Sequence, residues 1–189
     1  MSDTEGERPA WEGRHGEYTD TGTGDPHSVG AAPEYLPVSG SNDPNAPNCM
    51  AFAIGSSCNE QPGKRSGVYP SDWSDVYDVG ASVRAELETM GRTIRRISGP
   101  DGTVRRNEYR IALRVGTTPF EQYDINGEQI CFYDYHFMVQ TSTGQWAEKH
   151  GIGGASILWP EGLTPDDIPW TLGDIEYYDS PIIYYAIGG

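Results

Sequence analysis

The scarce nucleophilic and basic side chains of this 189-residue chain are three cysteines, Cys49, Cys58 and Cys131, and four histidines, His15, His27, His136 and His150. A cysteine next to a histidine can attack an acyl carbon, provided the thiol sits where its anion is stabilised and the imidazole can take its proton. Cys49 has the local signature. In Pro47-Asn48-Cys49-Met50-Ala51-Phe52-Ala53-Ile54-Gly55, Asn48 is a good N-cap and Gly55 a good stop, so 48–55 reads as a short helix with Cys49 in its first turn. Unpaired amides and the helix dipole there favour a thiolate. The small and apolar residues that follow suit a helix buried against a sheet, with its tip facing a cleft. The competing role for Cys49 is a small core residue. Cys58, in a loop, is the second candidate nucleophile. Cys131 falls on a strand whose odd positions face away from His136.

For the base, His15 and His27 lie in a polar N-terminal stretch, which leaves His136 and His150. His136 lies in the strand-like run Tyr133–Gln140, followed by Thr141-Ser142-Thr143-Gly144 and then Gln145-Trp146-Ala147-Glu148-Lys149, a hairpin pattern. A turn centred near 142–143 sets His136 opposite Glu148 or Lys149. Glu148 has the parity to share a face with His136, and a carboxylate there fixes the tautomer and supports the imidazolium. The same pair also suits an ordinary cross-strand contact on a solvated face. His150 is the rival base and Asp134 the rival orienter. The backbone amide of Cys49 is the default oxyanion donor, with Asn48 or Gln61 adding a side chain.

The elements that must position these groups are helices first and strands after. Asp72 can cap a second helix from Trp73 to about Met90, ended by Gly91, with Val76, Val79, Val83, Leu87 and Met90 on one face. Candidate strands are 92–98, 103–115, 128–140, 145–150, 155–159 and 181–187, separated by turn signals at Gly99-Pro100-Asp101-Gly102, Asn126-Gly127 and Thr143-Gly144. This order predicts an α+β fold, with the nucleophile helix packed on a mostly antiparallel sheet. Residues 1–43 hold nine acidic and two basic side chains and no apolar period, so they read as a disordered or extended acidic arm, with Trp11, Tyr18 and Tyr35 able to dock locally. The folded domain is expected at 44–189.

A net charge of −15 and a pI near 4.4 argue against a nucleic-acid binder. No apolar run spans a membrane, and the N-terminus has no signal-peptide pattern. These point to the cytoplasm, or to delivery by a non-classical route or a virion. Three cysteines without a signal peptide read as thiols, and with no CxxC or HxxxH pair neither a metal nor another cofactor is expected. Seven arginines between Arg92 and Arg114 read as solvated outer faces of strands rather than as a basic patch. The tyrosine pairs 133/135, 177/178 and 184/185 read as sheet packing, some of it lining a cleft.

The segment Asn48-Cys49-Met50-Ala51-Phe52-Ala53 resembles the Asp-Cys-Ser-Gly-Phe-Val stretch of NlpC/P60-type papain-fold peptidases. In that family a histidine opens a strand and a polar third residue follows about twelve positions later, as Glu148 follows His136 here. The resemblance implies a papain-like fold, Cys49 as nucleophile, His136 as base, Glu148 as third member, and hydrolysis of an amide bond, in that family usually within peptidoglycan peptides. Met50 and Ala51 replace the usual Ser-Gly, and the span from Cys49 to His136 is longer than the family's. The chain is also similar to uncharacterised bacterial proteins with an Asn-Cys-Tyr-Ala-Tyr-Ala start. Those match at Gln61-Pro62-Gly63, at Asp134-Tyr135-His136-Phe137, and at Trp146, Lys149 and Gly151.

The sequence thus predicts a cysteine hydrolase acting on a peptide, an isopeptide or a glutamine side chain. The alternative is a non-catalytic structural or interaction protein of a virion or secretion apparatus. A third reading, an effector acting inside a target cell, shares the first one's chemistry.

Overall fold

The computed structural model describes residues 28–189. Helix α1 (Cys49–Ile54) forms where expected. The Asn48 side chain accepts from the Ala51 amide, and Gly55 closes the helix at φ 69°, a left-handed conformation that costs glycine least. Helix α2 (Val76–Thr89) begins three residues later than the sequence suggests, because Asp75 caps it through the Tyr77 amide. Asp72 instead spends its carboxylate on the Ser74 amide and hydroxyl, one turn upstream.

Ten strands follow: β1 (Thr93–Ile97), β2 (Glu108–Val115), β3 (Phe120–Tyr123), β4 (Gln129–Phe132), β5 (Tyr135–Gln140), β6 (Trp146–Lys149), β7 (Ser156–Leu158), β8 (Thr171–Leu172), β9 (Ile175–Glu176) and β10 (Ile183–Gly188). Six form one antiparallel sheet in the order β1-β10-β2-β5-β6-β7, while β3-β4 and β8-β9 are separate hairpins. The fold is α+β. The expected strand 128–140 is two strands in different sheets, broken at 133–134, and 103–115 is strand only from Glu108. Cys131 therefore lies on β4 in the exposed side hairpin, not on the strand of His136.

Alternation along the central strands divides the core. Ile111, Leu113, Phe137, Val139, Ile183 and Tyr185 face the two helices, where Val79, Val83 and Leu87 meet them. Ala112, Met138, Trp146, Tyr184 and Ala186 face the other way, onto Trp170, Ile168 and Tyr178 of the segment 159–182. Of the arginines expected on solvated faces, Arg105 and Arg106 are exposed, but Arg95 and Arg110 are not. Arg110 is buried and donates to the carbonyls of Gly102 and Ser28 and to Gln140, and Arg95 lies against the buried Glu108 carboxylate. Burying a guanidinium is costly unless its donors are used this way, and Arg95 leaves Nη1 without a hydrogen-bond partner.

Residues 28–43 are not a free arm. They run extended along the domain, with the Ala31 amide on the Glu108 carbonyl, the Pro33 carbonyl on the Ser142 amide, and Val38 exchanging bonds with Ser156 on β7. Among the described residues, 28–43 pack with the expected domain 44–189. Trp11, Tyr18, His15 and His27 lie outside the described residues. Among the described residues no helix is long and apolar enough to cross a membrane.

Candidate active site

Cys49 opens α1 and is 5% exposed. Its Sγ donates to the Tyr135 carbonyl at the start of β5, at 3.7 Å. Burial pushes the thiol up to about 12, and the Asp134 charge pushes the same way; the amides of Phe137, Met50 and Cys49 pull against them and lose. The activated thiolate expected from the helix tip is therefore not the resting state. A six-residue helix offers little dipole against the cost of burying an anion.

Asn48 anchors that helix start. Its Oδ1 accepts from the amides of Ala51 and Glu60, and its Nδ2 donates to the Glu60 carbonyl at 2.6 Å. The side chain lines the site but is committed to capping. Gln61 is exposed and is not among the residues that line the cavity, so the oxyanion role expected for it has no support from its position. The loop it belongs to is held by buried carboxylates instead: Glu60 pairs with Arg65, and Glu86 accepts from the amides of Arg65 and Ser66.

His136 and Glu148 do meet. Glu148 Oε2 lies 2.7 Å from His136 Nε2, and each side chain is 1% exposed. The contact is diagonal rather than directly across the strands. Glu148 pairs with Met138 in the ladder, so the hairpin is centred on Thr143, at the late edge of the expected range, with Gly144 in the turn at φ 84°. Parity alone keeps His136 and Glu148 on one face. The position facing His136 in this register is 150, and the His150 ring stacks on His136 with centroids 4.8 Å apart and planes 17° apart. Tyr178 stacks on the opposite side of His136, and Trp170 meets its edge. Glu148 Oε1 accepts from Trp159 Nε1 at 2.9 Å and lies 3.4 Å from His150 Nε2. Burial alone would raise the Glu148 carboxyl; the bonds from His136 and His150 outweigh it and hold it at about 2. Asp134, the rival orienter, is engaged elsewhere, accepting from the Tyr178 hydroxyl and the Tyr135 amide.

One cavity of about 410 Å³ is lined by Cys49, Asp134, His136, His150, Tyr178 and the glycine-rich turn 151–154. Lys149, fully buried, fixes that turn by donating to the carbonyls of Gly151, Ile152 and Gly154. The cavity brings together five of the expected residues, Cys49, His136, Asn48, the rival base His150 and the rival orienter Asp134, with Glu148 directly behind the imidazoles. Within it the thiol and the His136 ring share no hydrogen bond. Cys49 comes from the helix side of the sheet, whereas His136 turns toward Trp170 and Tyr178 on the other. Cys58 and Cys131 are both exposed and lie outside the cavity. Sequence reasoning missed Trp159 as a partner of Glu148 and named Tyr178 only within a tyrosine pair suited to sheet packing or a cleft wall, because neither contact is periodic or near in sequence.

His136, Glu148 and His150 place one donor atom each within 4.8 Å of one another. Searches of protein-family models, of curated proteins and of solved structures find no match to this chain.

Proposed function

We propose that the cavity is a thiol acyl-transfer site and that the protein is a cysteine hydrolase of papain-like arrangement. The observation that carries this is the cavity itself, in which Cys49 and an imidazole held by a carboxylate line the same space. Glu148 takes His136 Nε2 and leaves Nδ1 as the nitrogen to exchange a proton with a thiol. Cys49 attacks an amide carbonyl as its S–H proton passes to His136, forming a sulfur–carbon bond. The oxyanion meets the Cys49 backbone amide at the helix start. The carbon–nitrogen bond then breaks, the leaving amine takes the proton from His136, and water hydrolyses the thioester. The scissile bond is a peptide, an isopeptide or a glutamine side-chain amide. Because the resting thiol is protonated, proton transfer and attack occur together when substrate enters, and catalytic hydrogen bonds commonly tighten only at that stage.

The protonated thiol, bonded to the Tyr135 carbonyl and contributed from the other face of the sheet than His136, favours a second reading: a non-catalytic structural or interaction protein on the same scaffold. Acylation separates the two. With p-nitrophenyl acetate as acyl donor, intact mass and peptide mapping report an acetyl thioester on each cysteine. Expected is acetylation of Cys49 in the wild type and in Cys58→Ala, slowed roughly 10²-fold in His136→Ala. Equal acetylation of Cys49 with and without His136 refutes the hydrolase and leaves the second reading.

A further inference from the structure

We infer that Asp134 selects the substrate: the site takes amides whose acyl portion carries a cationic side chain, lysine or arginine, with its charge on the Asp134 carboxylate. This deepens the hydrolase reading and rests on it for the reaction, whereas the binding of the cation does not depend on it. The acyl portion stays joined to Cys49 after the amine leaves, so a group that selects it must share the cavity of Cys49. Asp134 does, and among the described residues it is the only carboxylate that lines the cavity. It directly precedes Tyr135, whose carbonyl accepts from Cys49 Sγ. Burial and then the Asp134 charge raise the thiol, so the carboxylate lies within electrostatic reach of the reacting sulfur.

Asp134 is held in place but not used up. The Tyr178 hydroxyl donates to its Oδ2 at 2.8 Å and the Tyr135 amide to its Oδ1 at 2.9 Å. A carboxylate has about four acceptor positions, so about two remain for a ligand. Ion pairs among the described residues fall on Glu60, Glu86, Glu108 and Glu148, not on Asp134. The cations nearest in the chain and the sheet have other partners: Lys149 donates to the carbonyls of Gly151, Ile152 and Gly154, and Arg114 donates to the Ser180 carbonyl and lies over the Trp170 ring. His136 and His150 already have a carboxylate in Glu148. The rest of the wall suits the stem of a lysine or arginine, since Leu172 and the rings of Tyr135 and Tyr178 offer apolar surface to its methylenes. Asp134 is half-buried before any ligand enters. A neutral or anionic side chain filling the cavity would take water from this carboxylate and return no partner, which is costly. The net charge of −15 adds a general attraction for cations that is not specific to the cavity.

The Nα-acetyl p-nitrophenyl esters of lysine, norleucine and glutamate test this, because they differ in side-chain charge and offer Cys49 the same carbonyl and leaving group. Peptide mapping gives the rate of Cys49 acylation, and each rate is divided by that of 2-mercaptoethanol with the same ester. Expected in the wild type is a preference for lysine over norleucine of roughly tenfold or more at low salt, with glutamate slowest. The share due to the whole acidic chain is screened by salt, whereas the share due to Asp134 should persist at about 0.5 M, where the Debye length is about 4 Å. That share should vanish in Asp134→Asn, whose amide can still accept from the Tyr135 amide and donate to the Tyr178 hydroxyl. A lysine-to-norleucine ratio near one at about 0.5 M salt, or an unchanged ratio in the variant, overturns the inference; the salt series decides even if the variant does not fold. Binding of Nα-acetyl-lysinamide and Nα-acetyl-norleucinamide to Cys49→Ala, followed by nuclear magnetic resonance, repeats the comparison without acylation. The lysine amide is expected to bind roughly tenfold or more tightly, and equal binding overturns the inference. If the binding order holds while wild-type acetylation ignores His136, the hydrolase reading fails and the cation site stands.

Discussion

Replacing Glu148 by glutamine tests the most tightly built part of the site. The amide keeps the size and one acceptor but removes a charge that is 1% exposed and is approached by His136, His150 and Trp159. The carboxyl is held at about 2 against an ordinary 4.5. At about 1.4 kcal/mol for each pH unit, this corresponds to about 3 kcal/mol of folding stability. The folded protein binds this proton more weakly than the unfolded chain, so the contribution is present above the unfolded value and is lost as pH falls through the folded one. His150 has the opposite sign: its raised affinity stabilises below its unfolded pKa and is lost as pH rises through its folded pKa. Both describe one attraction, so it is counted once, and it is greatest between the two titrations. Urea unfolding of wild type and Glu148→Gln from about pH 8 to about pH 2.5 measures it. At about pH 6 the variant should lose about 3 kcal/mol, a fall in midpoint of about 1.5 M for a typical urea slope of about 2 kcal/mol/M. The gap should close as the acid limb approaches the folded pKa. Glu60 and Glu108, also held low, are present in both proteins and cancel in the difference. Midpoints within about 0.3 M at about pH 6, or a gap that does not narrow in acid, would refute the reasoning.

Two further outcomes follow from the thiol and its helix. Iodoacetamide should modify exposed Cys58 faster than Cys49 at neutral pH, and the Cys49 rate should still climb through about pH 10, since its thiol is pushed up to about 12. Peptide mapping checks this, and a Cys49 rate that levels off below about pH 9 would contradict it. Asn48→Ala removes the acceptor of the Ala51 amide and both bonds to Glu60, and should cost about 1–2 kcal/mol in chemical unfolding. Asn48→Asp, which keeps the cap and loses only the Nδ2 donor, should recover part of that; no difference between the two variants would deny the cap its role, and no difference between Asn48→Asp and wild type would deny the Glu60 carbonyl its role.

What the sequence determined is local. An asparagine before a small apolar run and a glycine after it specify α1, because capping depends on atoms within four residues. The parity of positions 136 and 148 across a short turn placed imidazole and carboxylate on one face, and a small error in the turn centre left that parity intact while exchanging the partner directly across from His136 for position 150. The tertiary structure decided whatever depends on exposure to water. The segment 159–182 covers the second face of the sheet and supplied Trp159, Trp170 and Tyr178 to the imidazoles, while Ser28, Gln140 and the stretch 102–108 made buried donors of two expected solvated arginines, Arg95 and Arg110. Packing of α1 on β5 raised the thiol that the helix tip alone would have lowered. Desolvation is set by all atoms around a group, most of them distant along the chain, so no pattern of spacing announces it.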